Sequence, residues 1–206
     1  MPTAVPITPG AIHYPGYFDR EAQVAMVEVL REALKQAPLF TPRMPRSGKA
    51  FSVRMTNLGA LGWVSDAAGY RYQSAHPETR APWPEIPKKL LDAWRELAPE
   101  APPPEACLVN FYDSAARMGL HQDRDEQALP VAVVSISLGD TALFRIGGVM
   151  RGAATRSFRL QSGDAFVFGG PARLAFHGID KIYPATSTLL PNGGRINLTL
   201  RRVTAG

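Results

Sequence analysis

The sequence predicts an α+β protein, with two N-terminal helices and a hairpin followed by an all-β half that closes as a sandwich or roll. Three observations carry that expectation. Apolar residues recur at helical spacing in two early segments. Short strand-like runs separated by Gly, Asp and Pro turns fill the second half of the chain. Nineteen prolines and eighteen glycines in 206 residues speak for many turns and against a helical bundle.

The first helix is expected over residues 19–37. Asp19 suits the N-cap and Glu21 the first turn. Met26, Leu30, Ala33, Leu34 and Ala37 form one apolar stripe, and Pro38 ends it. Residues 50–74 read as short strands, with Ala67-Ala68-Gly69 as a turn between Trp63-Val64-Ser65 and Tyr70-Arg71-Tyr72. A second helix follows Pro87 over residues 88–98, where Leu90, Leu91, Trp94, Leu97 and Ala98 share a stripe. The Pro-rich segment 99–104 stiffens its exit. Seven strands are then expected at 107–112, 130–138, 142–146, 156–160, 165–168, 174–177 and 195–201. The layout reads as one folding unit over 1–206, with an N-terminal arm and helix at 1–49, a hairpin region at 50–85 and a β core at 105–203.

Composition narrows the function classes. Hydrophobic residues make up 45% and charged residues 20%, which excludes wholesale disorder. No run of 18 apolar residues occurs, so no membrane-spanning helix and no membrane partner are expected. Met1 to Pro6 lack a basic start and an apolar run, so they do not read as a signal peptide. One cysteine, Cys107, excludes a disulfide framework and a thiolate-rich zinc site. A cytoplasmic monomer is the default expectation. The net charge of +5 suits a polyanionic partner such as nucleic acid, and equally a basic protein without one.

His121-Gln122-Asp123 is the sharpest local signal. In extended chain, residues two apart point to one side, so an imidazole and a carboxylate would converge. His177 lies at the end of an expected strand. Two imidazoles and one carboxylate are the facial triad of non-haem Fe(II), which leaves three coordination positions open. The competing explanation is a solvated pair in the polar run 122–126. His13 and His76 sit in Pro-rich contexts and read as structural.

Residues 195–201 alternate cleanly. Arg195, Asn197, Thr199 and Arg201 share one face, and Ile196, Leu198 and Leu200 the other. The two arginines lie about 20 Å apart on a straight strand, so they cannot grip one end of a small ligand there together. Each can pair with a carboxylate, as a dicarboxylate co-substrate would require, or lie solvated on an edge strand. Leu108, Asn110 and Tyr112 likewise share a face just upstream of the His-x-Asp.

Taken together and in order, these segments resemble the AlkB family. The likeness is carried by Leu108-Val109-Asn110-Phe111-Tyr112, Leu120-His121-Gln122-Asp123-Arg124-Asp125-Glu126 and Val134-Ser135-Ile136-Ser137-Leu138-Gly139. It continues in the segment 168–178 and in Arg195-Ile196-Asn197-Leu198-Thr199-Leu200-Arg201. Upstream, Met55-Thr56-Asn57, Leu61-Gly62-Trp63, Gly69-Tyr70-Arg71-Tyr72 and Pro82-Trp83-Pro84 also match, so the likeness spans about residues 50–202. Segment 186–194 matches poorly, and the first forty residues carry little of it.

The resemblance implies a double-stranded β-helix, or jelly roll, with residues 50–85 as a nucleotide-recognition lid. It implies Fe(II) held by His121, Asp123 and His177, which are then also the catalytic centre. It implies dioxygen and 2-oxoglutarate as co-substrates. Arg195 and Arg201 would stand near the 2-oxoglutarate carboxylates, with Asn110, Tyr112, Asn197 and Leu108 around them. Met118 and Phe168 would shape the wall beside it. The implied reaction is oxidative demethylation of alkylated bases such as 1-methyladenine and 3-methylcytosine, with succinate and formaldehyde released. Single-stranded DNA is the favoured partner and RNA a second candidate.

A base inside a duplex is out of reach and must be flipped or come from a single strand. Trp63 and His121 are the expected faces of its slot, with Tyr70 and Met55 at the wall. Asp125 can accept from an exocyclic amine and favours a cationic methylated base. Arg151, Tyr72, Thr56 and Asn57 are candidates for phosphate or base-edge contacts. Two rivals remain open on the sequence. One is an Fe(II)/2-oxoglutarate hydroxylase acting on a protein or small molecule, and the other is a binding module that has lost catalysis.

Overall fold

The first helix shows how the local signals translate into structure. In a computed structural model, which describes residues 3–205, helix α1 spans Arg20–Gln36. Met1 and Pro2 of the N-terminal stretch lie outside the described residues. Asp19 caps α1 by accepting from the Ala22 amide at 2.8 Å. Helix α2 spans Lys88–Leu97 and buries Leu90, Ala93 and Trp94. No described helix is long and apolar enough to cross a membrane.

The strands are β1 (Val5–Thr8), β2 (Ala11–Tyr14), β3 (Arg54–Gly59), β4 (Gly62–Asp66) and β5 (Gly69–Gln73) before α2. After it come β6 (Ala106–Tyr112), β7 (Met118–His121), β8 (Val133–Gly139), β9 (Thr141–Ile146), β10 (Arg156–Leu160), β11 (Ala165–Phe168), β12 (His177–Tyr183) and β13 (Arg195–Arg201). Seven form one antiparallel sheet in the order β1-β2-β11-β8-β13-β6-β3, and four form a second in the order β10-β9-β12-β7. The hairpin β4–β5 forms its own two-stranded sheet. Two facing antiparallel sheets with two helices are consistent with a jelly roll.

The core has two layers. Leu30, Leu90 and Trp94 of the helices pack with Val109, Ile136, Leu198 and Leu200 on one face of the large sheet. Met55, Leu108, Phe144, Phe166 and Phe168 pack between the two sheets. β13 therefore keeps its apolar face toward the helices. Its polar face, Arg195, Asn197, Thr199 and Arg201, turns toward the small sheet.

Three expectations differ from the structure. Residues before Ala37 are more than an arm and a helix, since β1 and β2 extend the large sheet through pairing of β2 with β11. Part of the 50–85 region also belongs to that sheet, because β3 pairs with β6 along its length. The strand expected at 174–177 begins only at His177. The apolar run before it folds as a turn behind the short 3-10 helix Gly170–Ala172, and Ala175 N reaches Ala172 O. Apolar character alone does not separate a strand from a buried turn.

Candidate active site

The small sheet brings the histidines together. His121 ends β7 and His177 opens β12, and they are direct cross-strand partners. Gly178 permits the close approach, because a Cβ there would stand 2.4 Å from Met118 O. Asp123 lies just past β7, and one ligand atom from each of the three residues falls within 4.8 Å of the others. Each ring is oriented by a backbone carbonyl. His121 Nδ1 donates to Gly119 O at 2.9 Å and His177 Nδ1 to Ala175 O at 3.0 Å. Both Nε2 lone pairs are thereby left toward Asp123 Oδ1, at 3.6 and 3.9 Å.

The remaining oxygen of Asp123 is occupied. Arg201 donates to Oδ2 through Nε at 3.1 Å and Nη2 at 2.6 Å. Burial raises the Asp123 carboxyl, but the Arg201 guanidinium together with His177 and His121 outweighs it and holds the group well below the usual carboxylate range. Burial, with His121 next, pushes His177 down to about 4. A charged carboxylate and a neutral imidazole are the protonation states that a metal ion requires.

Arg201 is part of a buried ring of charges. Glu126 sits 3.3 Å from Arg201 Nε and accepts from Arg173 Nη2 at 3.0 Å. Arg173 closes the ring by donating to Asp123 O at 2.6 Å. Two carboxylates and two guanidiniums neutralise one another out of water. Burial lowers Arg201, but Asp123, Tyr72 and Glu126 outweigh that and raise it above its ordinary value.

Arg195 is placed differently. It is fully buried and donates to neutral acceptors, namely Asp140 O, Leu160 O and the Ser137 hydroxyl. Its Nε has no partner, and no salt bridge reaches it among the described residues. Burial pulls it down to about 10. Across the ladder, Arg195 faces Tyr112, Asn197 faces Asn110 and Thr199 faces Leu108. Asn110 Oδ1 is a second buried atom without a partner. Burial raises the Tyr112 hydroxyl to about 12. An unpaired buried cation beside a neutral phenol fits a small dicarboxylate, which would supply the missing counter-charge.

A cavity of about 550 Å³ joins these groups. It contains His121, Asp123, His177 and Arg201, the floor residues Leu108, Asn110, Tyr112 and Asn197, and the wall residues Met118 and Phe168. Toward its mouth it also takes in Met55, Trp63, Tyr70, Asp125 and Arg151. The Trp63 and Tyr70 rings stack with centroids 5.6 Å apart, and Trp63 Nε1 donates to Asp125 Oδ2 at 2.8 Å.

Four expected residues are not on the cavity wall. Arg195 is fully buried and does not line it. Thr56 donates to Ala37 O, and the Asn57 amide holds the backbone of Trp63 from both sides. Tyr72 donates inward to Glu126 at 2.5 Å. Each of the last three is engaged elsewhere, so none is free to meet phosphate or a base edge. His13 pairs with Asp164, His76 is fully buried, and Cys107 is packed in the core.

A family profile described as the 2OG-Fe(II) oxygenase superfamily matches residues 10–201. An "Alpha-ketoglutarate-dependent dioxygenase AlkB homolog" of Caulobacter vibrioides is 57% identical over 196 residues, covering 95% of this chain and 89% of that protein. The chain belongs to the AlkB family. It is an Fe(II)- and 2-oxoglutarate-dependent dioxygenase that uses O2. An "Alpha-ketoglutarate-dependent dioxygenase AlkB" of Salmonella typhimurium is 38% identical, covering 98% of this chain and 94% of its own length. The solved structure of OsALKBH1 superimposes with a TM-score of 0.80 at 32% identity, covering 97% of this chain and all of that one. AlkB-family membership gives the chain Fe(II), 2-oxoglutarate and O2 as its cofactor and co-substrates.

The sequence did not single out Glu126 or Arg173. Both stand inside segments quoted for the family likeness, yet Arg173 and Glu126 are 47 residues apart and meet only in the fold. A basic residue inside the apolar stretch 171–176 was the available signal. Ser135 and Ser137 were also passed over. They lie on a fully buried strand and hold Asn197 and Arg195.

Proposed function

We propose that this chain oxidatively demethylates N-alkylated bases, such as 1-methyladenine and 3-methylcytosine, in DNA and in RNA, with single strands favoured. The observation that carries this proposal is one cavity with a metal-ligand cluster at its inner end and an aromatic hairpin with a carboxylate at its mouth. Its size falls within the range usual for small-ligand sites, about 300–1,000 Å³. Residues 1–206 act as a single dioxygenase domain, with the β4–β5 hairpin as its lid.

His121 Nε2, Asp123 Oδ1 and His177 Nε2 hold Fe(II). When bound with 2-oxoglutarate and dioxygen, the metal supplies the oxidant that hydroxylates the N-methyl group, while succinate and carbon dioxide leave. Arg195 neutralises the far carboxylate of 2-oxoglutarate, with Tyr112 beside it. Asn110, Asn197 and Leu108 line the stretch toward the metal, and Arg201 fixes Asp123 there. The flipped base lies between Trp63 and His121, with Tyr70 supporting the indole and Met55 behind. Asp125 Oδ1, which has no protein partner among the described residues, accepts from the exocyclic amine and offsets the positive charge of a methylated adenine or cytosine. Arg151 receives a phosphate at the mouth. The hydroxylated methyl is then lost as formaldehyde and the ordinary base returns.

Mass spectrometry of a single-stranded oligonucleotide carrying 1-methyladenine tests this. With Fe(II), 2-oxoglutarate and air, the wild type is expected to remove one methylene mass and form succinate, and His121→Ala to do neither. Consumption of 2-oxoglutarate with the oligonucleotide unchanged would point instead to a protein or small-molecule acceptor.

A further inference from the structure

The hairpin touches the metal-side turn at two points, and the two points are cross-strand partners. Trp63 on β4 pairs directly with Tyr72 on β5. Opposed residues of an antiparallel pair share a face. From that face Trp63 Nε1 reaches Asp125, and the Tyr72 hydroxyl reaches Glu126, the next residue along. The first contact is exposed at the cavity mouth. The second is partly buried and enters the charge ring that holds Asp123.

We propose that Tyr72 is a positioning residue that couples occupancy of the base slot to the orientation of Asp123, acting through Glu126 and Arg201. The proposal rests on the nucleic-acid substrate inferred above. β4 and β5 form a sheet of their own, hydrogen-bonded as a strand ladder to neither main sheet. Asn57 ties the Trp63 backbone to β3 and Ser65 exchanges hydrogen bonds with Arg43, so what moves when a base displaces Trp63 is its side chain and its contact with Asp125. Tyr72, the cross-strand partner of Trp63, grips Glu126, the residue after Asp125, so movement of Asp125 is felt there. The Tyr72 hydroxyl donates to Glu126 Oε1, the oxygen that also faces Arg201 Nε. Arg201 carries the effect to Asp123 Oδ2. Each link is a buried or partly buried contact between ionised or strongly polar groups, where loss of one donor is felt by the rest. Such coupling is reciprocal, so what base binding does for the metal, the metal must do for base binding.

Mn(II), a redox-silent stand-in for Fe(II), reads the coupling without turnover. Its affinity is measured by electron paramagnetic resonance titration, with and without a single-stranded oligonucleotide carrying 1-methyladenine. In the wild type, the oligonucleotide is expected to tighten Mn(II) binding about fivefold or more. Tyr72→Phe keeps the ring and removes the donor. It should bring that factor to within about twofold of unity, while the affinity of the metal-free protein for the oligonucleotide stays within about twofold. Glu126→Gln should weaken Mn(II) binding in both conditions, and adding Tyr72→Phe to it should cost nothing further.

A wild-type coupling factor retained in Tyr72→Phe, or a full additional loss in the double variant, overturns the proposal. So does a wild type that binds the oligonucleotide but shows no coupling, which leaves the substrate assignment standing. A wild type that does not bind the oligonucleotide removes both.

Discussion

The two ends of β13 carry the same side chain in opposite electrostatic settings. Arg201 is buried inside a ring with two carboxylates, its charge matched by Asp123 and Glu126. Arg195, six residues away on the same face, is buried more completely yet meets only carbonyls and a hydroxyl. A guanidinium with its counter-charge built in is part of the framework. One held without it is what the proposed 2-oxoglutarate site would use. The cost of burying Arg195 without a counter-charge is carried by the rest of the fold.

Removal of each arginine tests this contrast. Arg201→Met should be the most damaging change, because it strands the buried carboxylate of Asp123, while Glu126 keeps Arg173. Breaking a buried ion pair from one side costs about 3–5 kcal/mol, so a midpoint shift of that size is expected in urea unfolding of the metal-free protein. Arg195→Met should do the reverse. Metal-free stability should stay level or rise, since an unpaired buried charge is replaced by an apolar chain. The KM for 2-oxoglutarate should rise about 30-fold or more, the result of losing about 2–5 kcal/mol of charge pairing. If Arg195→Met unfolds the protein as readily as Arg201→Met does, the contrast is wrong.

A smaller effect sharpens the Arg201 end. Glu105, whose amide donates to Arg201 O, accepts from the Val203 and Thr204 amides and the Thr204 hydroxyl. Burial raises its carboxyl, but these hydrogen bonds and Arg202 outweigh that and hold it below the ordinary value. Its folded-state value is therefore depressed. The stability it contributes is complete above the unfolded value, about 4.3, and is lost as the pH falls through the folded one. Glu105→Gln should flatten that acid limb by about 1 kcal/mol or less. Urea midpoints at pH 6 and pH 3 measure it, and an acid slope equal to that of the wild type would count against this role.

What the sequence made legible follows from the range of the interactions involved. The α1 cap, the hairpin and the alternation of β13 rest on neighbours a few residues apart. The His-x-Asp pair was visible for the same reason. β1 and β2 were not, because four-residue strands in a Pro-rich stretch carry too little pattern, and β2 exists through its pairing with β11. The same limit hid the fate of Tyr72 and Thr56. Their residue types suit a nucleic-acid contact, but Glu126 and the Ala37 carbonyl claim them from 54 and 19 residues away. The division of labour between Arg195 and Arg201 was equally hidden, since it depends on which partners the fold withholds.

The position of β13 bears on how the chain assembles during synthesis. It lies between β8 and β6, near the middle of the large sheet, yet it is encoded after every other strand described. A nascent chain that stops short of residue 195 holds β1-β2-β11-β8 and β6-β3 as two fragments with open edges. Neither can close, and neither carries Arg195 or Arg201. Pairings this distant in sequence are slow to form, and open edges invite pairing with other chains. The large sheet and the polar face of β13 at the cavity therefore come together only once β13 has been made.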